Sequence, residues 1–294
     1  PPRSTLFPYT TLFRSPDVLP LLAGSMGVFL FGIALILAGG IAAVFLPERL
    51  RIYTPVAGTG LAIVPVLYAA LPVLIGGGTV SSRLTLGYPI GEVTLALDPL
   101  SAFFAVLIAA ASFPGALYAV GYMRPYIGRG MATGAHFFFL SLFIASMLVS
   151  VVLNNALAFL IMWEIMSLSS FFLVIFEYEK ESTLKAGIYY LIATHVGVIF
   201  LVAGFALLSL STGSMDFDAF GSLPAGPESD VIFVLLFIGF GLKAGFVPFH
   251  TWLPKAHPAA PSHVSGMMSG IMIKLGIYGD RKSTRLNSSH RIRS

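Results

Sequence analysis

Eight runs of mostly apolar residues, each close to the length that crosses a bilayer, leave this chain little choice of solvent. A helix needs about 20 such residues to span the hydrocarbon layer. The runs lie at roughly Leu21–Leu46, Val56–Ile75, Pro99–Val120, His136–Leu153, Ala156–Phe176, Ala186–Leu210, Val231–Pro248 and Pro261–Gly279. In lipid, every backbone N–H and C=O must find its partner inside the chain, so such runs fold as helices. The chain is 56% hydrophobic and only 10% charged, with mean hydropathy +0.89. A soluble domain carries about 25% charged residues. The expected fold class is therefore all-α and polytopic, with about eight transmembrane helices. Asn154 and Asn155 alone separate the fourth run from the fifth, which reads as a tight turn. The longest connections are Gly76–Asp98 and Ser211–Asp230; the second, rich in Gly, Pro, Ser and Asp, reads as an exposed loop.

The formal charge of +4 misleads, because both ends read as foreign. Pro1–Ser15 is PPRSTLFPYTTLFRS and Asp280–His290 is DRKSTRLNSSH. Both look like translated sequencing-adapter DNA: CTC TTC CGA TCT gives Leu-Phe-Arg-Ser, and GAT CGG AAG AGC gives Asp-Arg-Lys-Ser. Residues 1–15 and 280–294 are therefore set aside from fold reasoning. Between Asp17 and Gly279 there remain ten basic and twelve acidic residues, a balance of −2. The basic tail thus implies no nucleic acid. The native part reads as an internal fragment of a longer protein. With no cysteine, a thiolate-ligated iron–sulfur cluster, a disulfide framework and a cysteine zinc site are excluded.

Basic residues sort by loop. Arg49, Arg51, Arg124, Arg129, Lys180, Lys185 and Lys255 lie in odd-numbered loops, and only Arg83 lies in an even-numbered one. Positive loops stay in the cytoplasm, so the native N-terminus and the Ser211–Asp230 loop are expected outside. Solvation of loop tips alone would not sort the charges by side.

Several ionisable residues lie inside the apolar runs, where each is costly and a functional role is the default reading. Glu164 sits nine residues into the fifth run, about 13 Å along a helix axis. Ser167 follows one turn later on the same face, with Ser169 and Ser170 beyond it. Lys243 lies at similar depth in the seventh run, so Glu164 and Lys243 are expected to pair. The competing reading is a static ion pair that locks two helices. Lys274 lies about thirteen residues into the eighth run with no acidic neighbour, too deep to reach the interface easily. His195, mid-way through the sixth run, can donate and accept a proton and reads either as a relay between Glu164 and Lys243 or as a locally satisfied ring. His263, at the head of the eighth run, reads as a relay or a polar cap. His250, His257 and His263 lack metal-site spacing and a nearby carboxylate, so no metal is expected. Gly239, Gly241 and Gly245 surround Lys243, and Pro248 follows, which breaks the seventh helix. Membrane ion sites are built at such discontinuities. The run Glu177, Glu179, Lys180, Glu181 reads as a solvated helix end, with a proton funnel or a docking surface as the sharper alternative, and Asp98 as a helix cap.

The stretches WEIMSLSSFFLVIFEYEK and LKAGFVPFHTWLPKAHPAAPSHVSGMMSGIMIKLGIYG closely resemble the antiporter-like, proton-translocating membrane subunits. That family spans respiratory complex I (NADH:quinone oxidoreductase), multisubunit cation/proton antiporters and membrane-bound hydrogenases. The wording is nearest to its hydrogenase-4 and formate hydrogenlyase branch. The resemblance covers about Leu97–Gly279. It implies two inverted five-helix repeats preceded by three helices: here residues 16–120 as the three, 136–279 as the first repeat, and the second repeat missing. It also implies that Glu164, Lys243 and Lys274 carry protons, with His195 or His263 between the lysines. Expected partners are other membrane subunits, a peripheral redox arm and the lipid of a bacterial or archaeal cell membrane. The chain itself carries no catalytic residue and no cofactor. The rivals are a subunit of a sodium or potassium antiporter and a non-conducting scaffold for a hydrogenase arm.

Overall fold

The structure, a computed structural model, describes residues 18–86, 91–224 and 226–291; Pro1–Ser15 lies outside them. Seven helices among the described residues are long and apolar enough to cross a membrane. In chain order the elements are α1 (Val18–Phe45), α2 (Thr54–Gly76), β1 (Val80–Leu86), β2 (Gly91–Leu97), α3 (Pro99–Met123), α4 (Thr133–Ser150), α5 (Ala156–Val174), α6 (Glu181–Thr212), α7 (Pro227–Ala244), α8 (Leu253–Ala259), α9 (Ser262–Met267) and α10 (Ile273–Arg291). The first seven expected spans match α1 to α7 to within a few residues. The eighth is not one regular helix: a π-helical segment, Met268–Met272, joins α9 to α10. Asp280–His290 continues α10.

Each helix end follows from local chemistry. Asp98 caps α3, its Oδ1 accepting from the Ser101 amide at 2.7 Å. Asn155 caps α5, accepting from the Leu157 and Ala158 amides at 3.1 and 3.2 Å. These side chains satisfy amides that the first helical turn leaves free. The α7 helix stops at Gly245, whose φ of +70° costs an L side chain but not glycine. The chain then runs through a 3-10 turn, Phe249–Trp252, into α8. The break expected in the seventh span is present.

The Gly76–Asp98 connection, in a chain expected to be all-α, holds an antiparallel hairpin with Val80 opposite Leu97. It packs on the turn between α4 and α5: the Ala96 amide donates to Val152 O at 2.7 Å and the Asn154 amide to Thr94 O at 2.9 Å. Asn154 Nδ2 also donates to Asp218 Oδ2 at 2.7 Å, and Asn155 Nδ2 to Asp216 Oδ1 at 3.1 Å. All three even-numbered connections therefore meet on one face. On the opposite face Arg51 Nη1 donates to Thr133 Oγ1, the Gly128 amide to Glu48 Oε2, and the Tyr126 hydroxyl to Glu177 Oε1. Connections of like parity thus gather on like sides.

Between the two faces the helices pack through small residues and aromatic rings. Gly197 on α6 lies against Gly239 on α7 so closely that a Cβ at Gly239 would stand 2.8 Å from the Gly197 carbonyl. Phe159, Trp163, Phe205 and Phe240 form an aromatic cluster, edge-on except for the tilted Phe159–Trp163 pair, with contacting ring centroids 5.2 to 6.4 Å apart. The outward side chains remain apolar: Val64, Ile199 and Leu210 are exposed along their helices. That surface suits hydrocarbon.

Candidate functional site

Helices α5, α6 and α7 bring Glu164, His195 and Lys243 together. The close approach of Gly197 on α6 and Gly239 on α7 sets His195, two residues before the one, near the level of Lys243, four residues after the other. Lys243 is only 2% exposed. Its Nζ donates to Ser167 Oγ at 2.7 Å and lies 5.6 Å from the Trp163 ring and 5.9 Å from the Tyr190 ring. The two rings offer the ammonium their negative faces.

The expected direct contact between Glu164 and Lys243 is not made. Among the described residues no ion pair joins them; Glu164 Oε2 instead faces His195 Nε2 at 3.1 Å. The reason is registry on α5. Ser167 lies one turn from Glu164 on the same face and takes the ammonium, leaving the carboxylate to α6. Glu164 Oε1 is buried without a hydrogen-bond partner. His195 consequently touches Glu164 alone of the two residues it was expected to join.

The protons of this contact can be counted. His195 Nδ1 lies 2.9 Å from Leu191 O. A carbonyl only accepts, so Nδ1 carries a proton. A neutral ring then presents a bare Nε2 to Glu164. The 3.1 Å contact therefore requires one proton, held on the carboxyl or on the ring. In the first case both groups are neutral; in the second they are a carboxylate and an imidazolium. One proton resides on either side of a single short contact.

Behind Lys243 the serines of α5 form a buried polar ladder. Ser170 Oγ donates to Ser167 O at 2.9 Å and shares a 2.6 Å hydrogen bond with the Tyr190 hydroxyl. Tyr190, fully buried, also reaches Met272 Sδ in the π segment at 3.5 Å. Sequence reading noted the serines but not Tyr190, whose ring is one of several in an apolar run.

Lys274 and His263 stand apart from this group. Lys274 is exposed on the bundle surface, and its Nζ donates to Ser269 O at 3.0 Å and Gly270 O at 2.7 Å. Both carbonyls belong to the π segment. His263 is 4% exposed and is bonded, Nε2 to Nε2 at 2.8 Å, to His136, a residue sequence reading used only to mark where the fourth run begins. His136 could have been found by the rule that selected Glu164, an ionisable side chain in an apolar run. Near the odd face, the Lys180 ammonium, hydrogen-bonded at 2.6 Å, holds the Glu177 carboxyl below its ordinary range.

The fold is thus a polytopic bundle with a broken seventh helix, a buried lysine and a carboxylate–imidazole contact. Residues 153–289 match the family described as NADH:quinone oxidoreductase/Mrp antiporter, transmembrane. Over 204 residues the chain is 44% identical to hydrogenase-4 component B of Escherichia coli K12, covering 69% of this chain and 30% of that protein. It is 33% identical over 208 residues to Na(+)/H(+) antiporter subunit A1 of Staphylococcus haemolyticus, covering 69% and 25%. Among solved structures it resembles a chain of the archaeal membrane-bound sulfane sulfur reductase, with TM-score 0.72, 25% identity and coverage of 87% of this chain and 40% of that one. It also resembles a chain of the Mrp complex from Dietzia sp. DQ12-45-1b, with TM-score 0.71, 25% identity and coverage of 85% and 27%. The chain spans less than a third of the length of these curated relatives. Residues 153–289 thus carry the transmembrane signature of that family, and the chain is related to hydrogenase-4 component B and to Na(+)/H(+) antiporter subunits.

Proposed function

We propose that this chain forms one half-channel of a proton-translocating subunit in a redox-driven membrane complex of the hydrogenase-4, formate hydrogenlyase or NADH:quinone oxidoreductase type. The observation that carries the reading is Lys243, buried inside the bundle and held by a hydroxyl rather than a carboxylate. A lysine so placed is a poor structural anchor and a good proton carrier, because its charge depends on where its flexible stem puts it. Glu164 lies one turn from Ser167 with Oε1 free to receive the ammonium. In one state Lys243 rests on Ser167 and Glu164 shares a proton with His195. In the other Lys243 joins Glu164, and the shared proton leaves through His195. Lys274 and His263 extend the route beyond Lys243. The odd-numbered connections, which carry seven of the eight basic loop residues, face the cytoplasm. Other membrane subunits surround the chain, and a peripheral redox arm supplies the energy.

The test is pumping per electron in the native complex. Glu164→Gln and Lys243→Ala should each greatly reduce it while subunit abundance holds. Lys243→Arg should not restore it, since a guanidinium does not release its proton. Normal pumping at normal abundance in Lys243→Arg refutes the carrier role and leaves Lys243 a structural cation. The kinship with Na(+)/H(+) antiporter subunit A1 favours a second reading, sodium exchange. Proton movement that requires external sodium would select it.

A further inference from the structure

Helices α4 and α9 each bring one imidazole to a place the Glu164–Lys243 group does not use. His136 and His263 are 3% and 4% exposed, and their Nε2 atoms are 2.8 Å apart. Both Nδ1 atoms are buried without a hydrogen-bond partner. Aromatic rings wall the contact: Phe176 lies 4.7 Å and Phe137 5.5 Å from His136, and Tyr122 lies 5.5 Å from His263, centroid to centroid. His136 is in the first turn of α4, on the face where Arg51 meets Thr133, so the pair stands just inside the odd-numbered side.

Proton counting constrains the pair more tightly than its burial does. An Nε2–Nε2 hydrogen bond needs one N–H and one bare nitrogen. In the neutral pair, the ring that donates at Nε2 is bare at Nδ1. The ring that accepts at Nε2 carries its proton at Nδ1. One end of the pair is thus an acceptor and the other a donor. A buried hydrogen-bonding atom without a partner costs stability and calls for an explanation. A fixed helix staple needs only the central bond; it gives no reason for two idle ends.

We propose that His136 and His263 form a one-proton valve between the odd-numbered face and the interior of the bundle. The proposal rests on the proton-carrying reading given above. A proton arriving at the bare Nδ1 of the first ring lets its Nε2 proton cross to the second ring, which releases its own Nδ1 proton. Protons balance, and no oxidant or reductant takes part. Both rings end in the opposite tautomer, so a second proton cannot follow in the same direction until they reset. The bond itself thus limits passage to one proton per reset. Tyr122 on α3 faces His263; Tyr126, in the 3-10 turn that follows α3, packs on Tyr122 and Phe176 and bonds to Glu177 beyond α5, and the Nδ1 of His257 on α8 meets Ser265 Oγ at 3.1 Å. Further along the chain, towards the bundle surface, Ser265 leads to Ser269, which bonds back to Ser265 O at 2.9 Å and offers its own carbonyl to Lys274.

The test uses the full-length native protein in its complex, reconstituted in liposomes. His136→Gln and His263→Gln should each slow proton translocation by on the order of 10²-fold, the low end for losing a positioned proton-transfer group, while electron transfer continues. Glutamine supplies a donor and an acceptor, so a purely structural role predicts full pumping in both variants. Normal pumping in His136→Gln overturns the valve. If Glu164→Gln is blocked in the same assay, only the valve has failed; if Glu164→Gln also pumps normally, the proton-carrying reading has failed with it. The second measurement is ¹⁵N solid-state NMR of the histidine-labelled wild type, which needs no variant to fold. One ring of the pair should be the δ tautomer and the other the ε tautomer. Two rings of the same tautomer overturn the proposal.

Discussion

Replacing Ser167 with alanine removes the hydroxyl on which Lys243 rests. The contact is 2.7 Å long, and both side chains are buried, at 0% and 2% exposure. Serine to alanine deletes one oxygen and opens little space, so the loss is almost wholly polar. A hydrogen bond involving a charged group is worth about 1.5–3 kcal/mol, and one between neutral groups about 0.5–1.5 kcal/mol. Ser167 Oγ also donates to Trp163 O at 2.9 Å, a bond inside its own helix that persists whatever Lys243 does. A double-mutant cycle with Lys243→Met removes that common contribution and isolates the pair. We expect a coupling energy of about 1.5–3 kcal/mol, the range for a hydrogen bond from an ammonium.

The assay is reversible unfolding of the purified subunit in mixed micelles of rising SDS content, read by tryptophan fluorescence. The chain has two tryptophans, and both Trp163 and Trp252 are buried close to this region. Coupling near 1 kcal/mol would assign Lys243 a neutral resting state. Coupling below about 0.5 kcal/mol, no more than the usual non-additivity between unconnected sites, would refute the reasoning. The hydroxyl would then be an incidental neighbour.

Gly239→Ala places a methyl group 2.8 Å from the Gly197 carbonyl and 2.6 Å from the Leu201 side chain. It should cost about 1–3 kcal/mol in the same unfolding assay, the usual range for overpacking. Asn155→Ala deletes the cap of α5 and the bond to Asp216, and should cost about 1 kcal/mol. Lys180→Ala should raise the Glu177 titration, measured by ¹³C carboxyl shifts. Because that carboxyl is held low in the folded chain, its contribution is present above its ordinary pKa and lost as pH falls through the lowered value. In an otherwise cysteine-free chain, Ser214→Cys should react with an impermeant thiol reagent from outside and Lys180→Cys should not; the reverse pattern would overturn the orientation.

The span boundaries, the cap at Asp98, the turn at Asn154 and Asn155 and the break after Ala244 were legible because each has a local cause. Run length sets a span, a short polar side chain starts a helix, and Gly245 with Pro248 ends one. The hairpin at Val80–Leu97 was not legible. Its register depends on the α4–α5 turn, where Val152 and Asn154 accept and donate its edge hydrogen bonds, and those residues lie far along the chain. The π segment at Met268–Met272 carries no sequence mark either, since MSGIM fits an ordinary helix as well.

Facing is a harder quantity than depth, and the reason lies in the solvent. A helix in water shows its buried side by a period of 3.6 residues, because its other side must be polar. A helix in lipid has no such need, since hydrocarbon is as apolar as leucine. Lys243 and Lys274 therefore looked alike, each about twelve or thirteen residues into an apolar run, yet one is enclosed by Trp163 and Tyr190 and the other lies on the surface. What breaks the degeneracy is the polar side chain itself. In such a run it must meet another polar atom, and the candidates are few enough to pair by depth. That logic correctly brought α5 and α7 together, and it erred over Glu164 only because Ser167, one turn away, competes for the same ammonium. Applied to the imidazoles it would have joined His136 to His263: both open their runs, and both runs begin on the same side of the bundle.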